Sequence, residues 1–283
     1  MNAHLVHGVL LVLFVMAGVN PLHAATVNVP NGSFESPQTE FVDVTIDSWQ
    51  KSAKPWWYVE SPGQYWIQLT GLYLNLPPEE PRYIDNCDGK QAIWLFAVPE
   101  VELFQKLQAI YEVGKSYTLT VGVIGGGFNM KDGTTMAIRL YYQNENDPNN
   151  RIPVAETPIV YHSETGYPTH FQDVELKIPR VMESDPWAGK NIGIQLVSTL
   201  IFPDDLDPVT GRAGGFWDID NVRLNQFLPG PDYTGDGIVN WVDFAEMARE
   251  WLACDTETDL TGDGCVDLND LNKLAESWLQ TRL

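Results

Sequence analysis

Cationic side chains are few in this sequence. There are 17 Lys and Arg against 38 Asp and Glu, a formal net charge of −21. A chain this acidic repels phosphate backbones and anionic lipid, and it suits cations and neutral ligands. Histidine is also scarce. Beyond the first 24 residues only His162 and His170 remain, thin material for a metal centre or a His-based triad. Cysteine is scarcer still, with Cys87, Cys254 and Cys265 at spacings that resemble no zinc site. Three is an odd number, so at least one thiol stays unpaired within the chain. Cys254 and Cys265 can pair and leave Cys87 over, but sequence alone does not give the Cα separation a bridge requires. The chain has no G-x-S-x-G elbow and no H-E-x-x-H helix. The glycines of "VIGGGFNM" lack the Lys or the second glycine pattern of a cofactor loop. With 38 carboxylates, no pair stands out as a hydrolase's acid and base.

Residues 1–24 lack charge of either sign, and Val9 to Val19 is almost wholly apolar. This is the build of a secretory signal peptide. The run is shorter than the roughly 20 residues that cross a bilayer. The expectation is an exported protein, extracellular or at the cell surface, with no span in the mature chain.

Residues 25–228 read as strands. "YTLTVGVI" places Tyr117, Leu119, Val121 and Val123 on one face, and "MAIRLYY", "VELKI" and "IGIQL" repeat the alternation. Period-two patterning between turn-rich stretches predicts an all-β sandwich of antiparallel sheets. Trp49, Trp94 and Trp217 sit inside strand-like text and read as core. Pro229, Gly230 and Pro231 then form a linker that neither strand nor helix continues through. In residues 232–283 the period changes. Phe244, Met247, Ala248 and Trp251, then Leu271, Leu274, Ala275 and Trp278, each form an apolar face of a short helix.

Before each of those helices stands a twelve-residue phrase, "DYTGDGIVNWVD" from Asp232 and "DLTGDGCVDLND" from Asp259. The first sets Asp232, Thr234, Asp236, Asn240 and Asp243 at positions 1, 3, 5, 9 and 12 of a calcium loop, with the Ile238 carbonyl at 7. The second sets Asp259, Thr261, Asp263, the Cys265 carbonyl, Asp267 and Asp270 in the same places. Gly237 and Gly264 occupy position 6, where the loop turns sharply. No helix enters either loop, and the last ligand is Asp rather than Glu. In both respects the segment resembles the dockerin module. That resemblance implies a small all-α domain folded around two calcium ions, docking onto a cohesin-like partner or another receptor. Trp241 and Leu268, at loop position 10, either face such a partner or pack on the sandwich.

The larger domain opens with "VPNGSFE" and closes with "FWDIDNVRL". In this it resembles galactose-binding-like jelly rolls, a group that includes many carbohydrate-binding modules. In that group a structural calcium often joins the first and last strands, and Glu35 and Asp220 stand in the matching places, or else they cap turns. Trp56, Trp57 and Tyr58 in "KPWWYVE" are candidates to stack on a polysaccharide, with core packing as the competing reading. Taken together, these resemblances imply a secreted, non-catalytic carbohydrate- or cell-surface-binding protein, tethered for polysaccharide utilisation. A tethered polysaccharide hydrolase and an adhesion protein with no sugar ligand are the alternatives.

Overall fold

The apolar alternation becomes two antiparallel sheets packed face to face. In the computed structural model, residues 25–279 are described apart from 128–129, 145–146, 164–167, 201–214, 228–229, 235–237, 255, 257 and 262. The expected signal peptide lies outside the described residues. The seven-stranded sheet runs β10 (Gln172–Ile178), β7 (Ser116–Gly125), β12 (Phe216–Phe227), β5 (Gln91–Phe96), β4 (Thr70–Leu74) and β2 (Val42–Asp43), and β1 (Ala25–Val27) also pairs with β12. The five-stranded sheet runs β3 (Gln50–Lys51), β6 (Glu102–Ile110), β11 (Asn191–Ser198), β8 (Thr135–Asn144) and β9 (Asp147–Val160). Leu119, Val121, Ile138, Leu140, Ile194 and Leu196, placed on inward faces by their period, are fully buried between the sheets. The sandwich expected from the sequence is therefore present.

Near the start of the chain the backbone is drawn onto the last strand. The Val222 amide donates to the Gly32 carbonyl at 2.8 Å. A Cβ at residue 32 would meet the Val222 carbonyl oxygen at 2.4 Å, so only glycine allows this approach. Opposite this contact β12 shifts register against β7 between Asp220 and Arg223, and Asn221 adopts a φ of 54°. This is a bulge, a common device for re-aiming side chains beside a site.

The C-terminal part holds two nine-residue helices, α1 (Trp241–Arg249) and α2 (Leu268–Glu276). Each starts on a capping box. Asn240 accepts from the Val242 amide with Asp243 reaching back, and Asp267 accepts from the Asn269 amide with Asp270 reaching back. Val239, Met247, Val266 and Leu274 form a small core of their own. The two loop–helix units are cross-linked by backbone. The Leu252 amide, just past α1, donates to Val266, and the Leu279 amide, just past α2, donates to Val239. A Cys254–Cys265 disulfide closes the second unit, leaving Cys87 as a free, half-buried thiol. Both helices end sooner than the apolar spacing predicts, so Trp251 and Trp278 lie in the turns that follow.

Lys51 makes a testable point about burial. Its ammonium donates to the carbonyls of Val44, Ile67 and Thr70 at the edge of the sandwich. Burial pulls its pKa down to about 8, against the attraction of Asp43. A lysine so depressed holds its proton less firmly folded than unfolded, so stability rises with pH from about 8 up to the ordinary lysine range. The melting temperature of the native chain should gain more between pH 8 and pH 10 than that of Lys51→Met. Parallel profiles for the two proteins would reject the assignment.

Candidate functional site

The outer face of the seven-stranded sheet carries the site. Along β12 the pleat sends Trp217 and Ile219 into the core and Phe216, Asp218 and Asp220 outward. Register sets Phe216 opposite Phe96 and Asp218 opposite Trp94, with Gly71 of β4 on the far side of Trp94. Around these residues lies a cavity of about 460 Å³, lined mainly by Phe41, Tyr73, Trp94, Phe96, Phe216, Leu74 and Leu76, with Asp218 in its wall and Arg82 beside it. Asp218 is only 2% exposed. The aromatic walls rest on small residues. A Cβ at Gly71 would meet the Trp94 ring at 2.5 Å, and one at Gly127 would meet the Phe216 ring at 2.5 Å.

One rim of the cavity is a pinned loop. Asn75 donates to the Ile84 carbonyl at 2.8 Å and accepts from its amide at 3.2 Å. Asn86 holds Phe171 in the same reciprocal way, and Ile84, Ala92, Ile124 and Phe171 form a second small core beneath. The loop is thus fastened at both ends, and the cavity is largely pre-formed, as small-molecule sites are. An aromatic cavity with a buried carboxyl in its wall can bind a planar apolar molecule, move a proton to or from it, and stabilise positive charge against ring faces.

Sequence reasoning found little of this chamber. It read Trp94 as core, whereas the ring is half-buried and lines the cavity. It noticed Asp220 and passed over Asp218, although alternation puts both on one face. A carboxylate between Trp217 and Ile219 in a central strand was the available signal.

Asp220 lies beyond the cavity. Its carboxylate accepts from the Asp88 amide at 2.7 Å and the Asn221 amide at 2.7 Å. Burial raises its pKa to about 7, while the two backbone donors pull the other way. Burial, then Asp220, pushes the neighbouring Cys87 thiol far up, so it is no nucleophile. Glu35 Oε1 accepts from the Lys90 and Gln91 amides at 2.8 and 2.7 Å. Both acids therefore cap one turn, the alternative left open by the sequence. Glu35 Oε1 is filled by its two amides, so a cation here would rest on Glu35 Oε2 and the remaining acceptor capacity of Asp220.

In the C-terminal loops the candidate ligands converge. Asp259, Asp263 and Asp270 place carboxylate oxygens within 4.8 Å of one another. Asp270, fully buried, accepts from the Thr261 amide and hydroxyl on one oxygen and the Asp267 amide on the other. Asp243 does the same with Thr234 and Asn240 in the first loop. Asp232 opens that loop, the Ile238 carbonyl at its middle accepts from the Asn240 side chain at 3.1 Å, and Asp236 lies outside the described residues. An all-oxygen, carboxylate-rich donor set on a turn fits a hard divalent cation.

The remaining candidates scatter. Trp56 is 94% exposed, Trp57 is half-buried edge-on to Trp66 with its indole donating to Glu100, and Tyr58 is in the core, so "PWWY" makes no shared platform. His170 pairs with Asp85 at 2.6 Å and His162 lies 3.7 Å from Asp132, both exposed and outside the cavity lining. Trp241 and Leu268 are each 71% exposed, and Trp241 packs edge-on to Phe244 and Trp278 within the C-terminal part.

A family profile, HpiC1-like (HpiC1 cyclase), matches residues 25–225. Similar solved structures include an apo cyclase from Fischerella sp., 18% identical over 72% of this chain and 97% of that one, with a TM-score of 0.51. A second is the Stig cyclase Fisc from Fischerella sp. TAU in complex with (3Z)-3-(1-methyl-2-pyrrolidinylidene)-3H-indole, 18% identical over 72% and 98% of the two chains, TM-score 0.50. A third, a cyclase from Fischerella sp. TAU in complex with 4-(1H-indol-3-yl)butan-2-one, is 19% identical over 72% and 98%, TM-score 0.51. At such identities the structures establish a shared fold. No curated protein matches the chain.

These matches correct the functional reading of the sequence. The family is a cyclase family, which overturns the carbohydrate-binding protein, its role in polysaccharide utilisation, and polysaccharide or a cohesin-like receptor as partner. The dockerin resemblance is withdrawn as an identity for residues 232–283. Nothing in the matches supports it, and the described segment is two short helices between loops rather than an all-α domain. Loop spacing reports local ion-coordinating geometry, which unrelated proteins share, and so it misled on kinship. No helix among the described residues is long and apolar enough to cross a membrane.

Proposed function

The chain belongs to the HpiC1-like cyclase family, and on that premise we propose that it closes rings in a small, planar, apolar substrate held in the Asp218 cavity. The observation that carries this reading is a buried carboxyl in the wall of an aromatic chamber of about 460 Å³. Asp218 gives its proton to a π-bond or basic atom of the substrate. The cation so formed lies against the faces of Trp94, Phe96 and Phe216, which lower its energy while a second π-bond of the same molecule attacks it. Asp218 then recovers a proton from the carbon beside the new bond. The product is an isomer of the substrate, and no oxidant or co-reactant is needed. Export from the cytoplasm, through the uncharged first 24 residues, belongs to the same proposal.

Calcium is the proposed resident ion. Asp232, Thr234, Asp236, Ile238, Asn240 and Asp243 would hold one ion, and Asp259, Thr261, Asp263, Cys265, Asp267 and Asp270 a second. Glu35 and Asp220 offer a third place where the first and last strands meet. Bound there, the ion neutralises clustered carboxylates and fixes loops.

The cavity reading is tested with the neighbour's ligand, 4-(1H-indol-3-yl)butan-2-one, as a probe, followed by calorimetry. Gly127→Ala pushes the Phe216 ring into the chamber and should weaken the probe about tenfold, roughly 1.4 kcal/mol. Gly127→Ala with Phe216→Leu should restore it. Wild type that binds no probe, or Gly127→Ala that binds it equally well, removes the cavity from the proposal.

A further inference from the structure

Arg180 belongs to the sandwich and ends inside the second acidic loop. It follows β10, and its neighbour Val181 pairs with both Gly114 and Lys115 by backbone hydrogen bonds, so its base is rigid. Its guanidinium donates to the Asp259 carbonyl, and a second nitrogen lies 3.9 Å from the Asp259 carboxylate. Both side chains are nearly buried, at 8% and 5% exposure. The stretch it grips is held from two other sides. Tyr233 donates from its hydroxyl to the Thr258 carbonyl at 2.9 Å, and Thr258 donates to Glu250 through amide and hydroxyl. A buried guanidinium so placed is costly unless its partner stays in register.

We infer that Arg180 is a latch that couples the ion-binding state of the second loop to docking of the C-terminal unit on the sandwich. The geometry leaves room for both partners. The guanidinium donates to the backbone carbonyl and stands off the carboxylate, whose oxygens lie within 4.8 Å of those of Asp263 and Asp270, the grouping a cation would occupy. Four carboxylates in the loop keep it negative with one divalent ion bound, so the arginine is still attracted. An ion that orders the loop fixes the carbonyl that Arg180 needs, and docking in turn holds the loop in its binding shape. By linkage each strengthens the other. The first loop has no such arginine among the described contacts. The inference rests on the calcium reading of the loops and is independent of the cyclase reading.

The test uses the full mature chain in scanning calorimetry and X-ray scattering, with calcium or excess chelator. Wild type should melt in one transition with calcium and in two with chelator, with a larger radius of gyration in chelator. Arg180→Met should show two transitions and the larger radius even in calcium, with its sandwich transition in place as proof of folding. Arg180→Lys, which keeps the charge and loses the fork, should lie between them. Terbium luminescence, read separately, reports whether the loops bind an ion at all. A wild type that binds terbium but melts identically in calcium and chelator overturns the coupling. Arg180→Met that matches wild type in calcium overturns the latch. A wild type that binds no terbium overturns the calcium reading and the inference with it.

Discussion

Asp218→Asn should lower the rate of ring closure by about 10²–10⁴-fold on any compound that the wild-type chain cyclises, the usual worth of a positioned general acid. The amide is nearly the shape of the acid, and the side chain is 2% exposed, so the chamber keeps its form. What the variant loses is the transferable proton. Affinity for the indole-bearing probe should therefore change by less than about threefold, since binding is carried by ring faces rather than by the carboxyl. That split between rate and affinity separates a catalytic role from a structural one. Asp220→Asn is the control. It points to the same face two residues on, yet caps the Asp88 and Asn221 amides outside the cavity lining. It should alter thermal stability and leave the catalytic constant within a few-fold of wild type. If Asp218→Asn retains turnover within tenfold, the carboxyl is not the acid. If Asp220→Asn is the slower enzyme, the wrong carboxyl on this face of β12 has been assigned.

How far the sequence anticipated this arrangement depends on range. Inward-facing apolar residues of β7, β8 and β11 could be named from alternation, because a sheet with one buried face writes period two into its sequence. The turn glycine Gly264 was equally local and equally readable. The chamber was not. Its walls come from Phe41, Tyr73, Trp94 and Phe216, which are joined only by strand order and register, and neither is written in any one stretch of chain. Trp94 looks like core because an aromatic ring in a strand is apolar on whichever face it lies. Asp218 could have been suspected, since a carboxylate in the middle of a central strand needs a reason. The error over kinship has a different origin. Two good ion loops identify a coordination chemistry, and the notion of a tether was carried in by resemblance.

Removing calcium should release the C-terminal helices while the sandwich stays folded. Carboxylate oxygens of Asp259, Asp263 and Asp270 lie within 4.8 Å of one another, where each pair of charges repels by roughly 1–3 kcal/mol in a partly solvated setting. The core beneath is only Val239, Met247, Val266 and Leu274 with a few half-buried neighbours, too small to offset that repulsion comfortably. The Cys254–Cys265 bridge offsets part of it, by about 2–3 kcal/mol for so short a loop. An ion present at a hundred to a thousand times its dissociation constant stabilises the folded loops by about 3–4 kcal/mol. Amide exchange over residues 241–249 and 268–276 should therefore quicken by about two to three orders of magnitude in chelator, the same free energy read kinetically. Reducing agent should quicken it further, because the bridge then no longer restrains the second loop. Strands β7 and β11 should keep their protection throughout. Asp270→Asn, which weakens the acceptor of Thr261 and Asp267 together, should lower the number of terbium ions held by the two C-terminal loops from two to one at micromolar concentration. Helices that stay fully protected in chelator and reducing agent together would mean that the small core suffices and that the acid-rich loops need no ion.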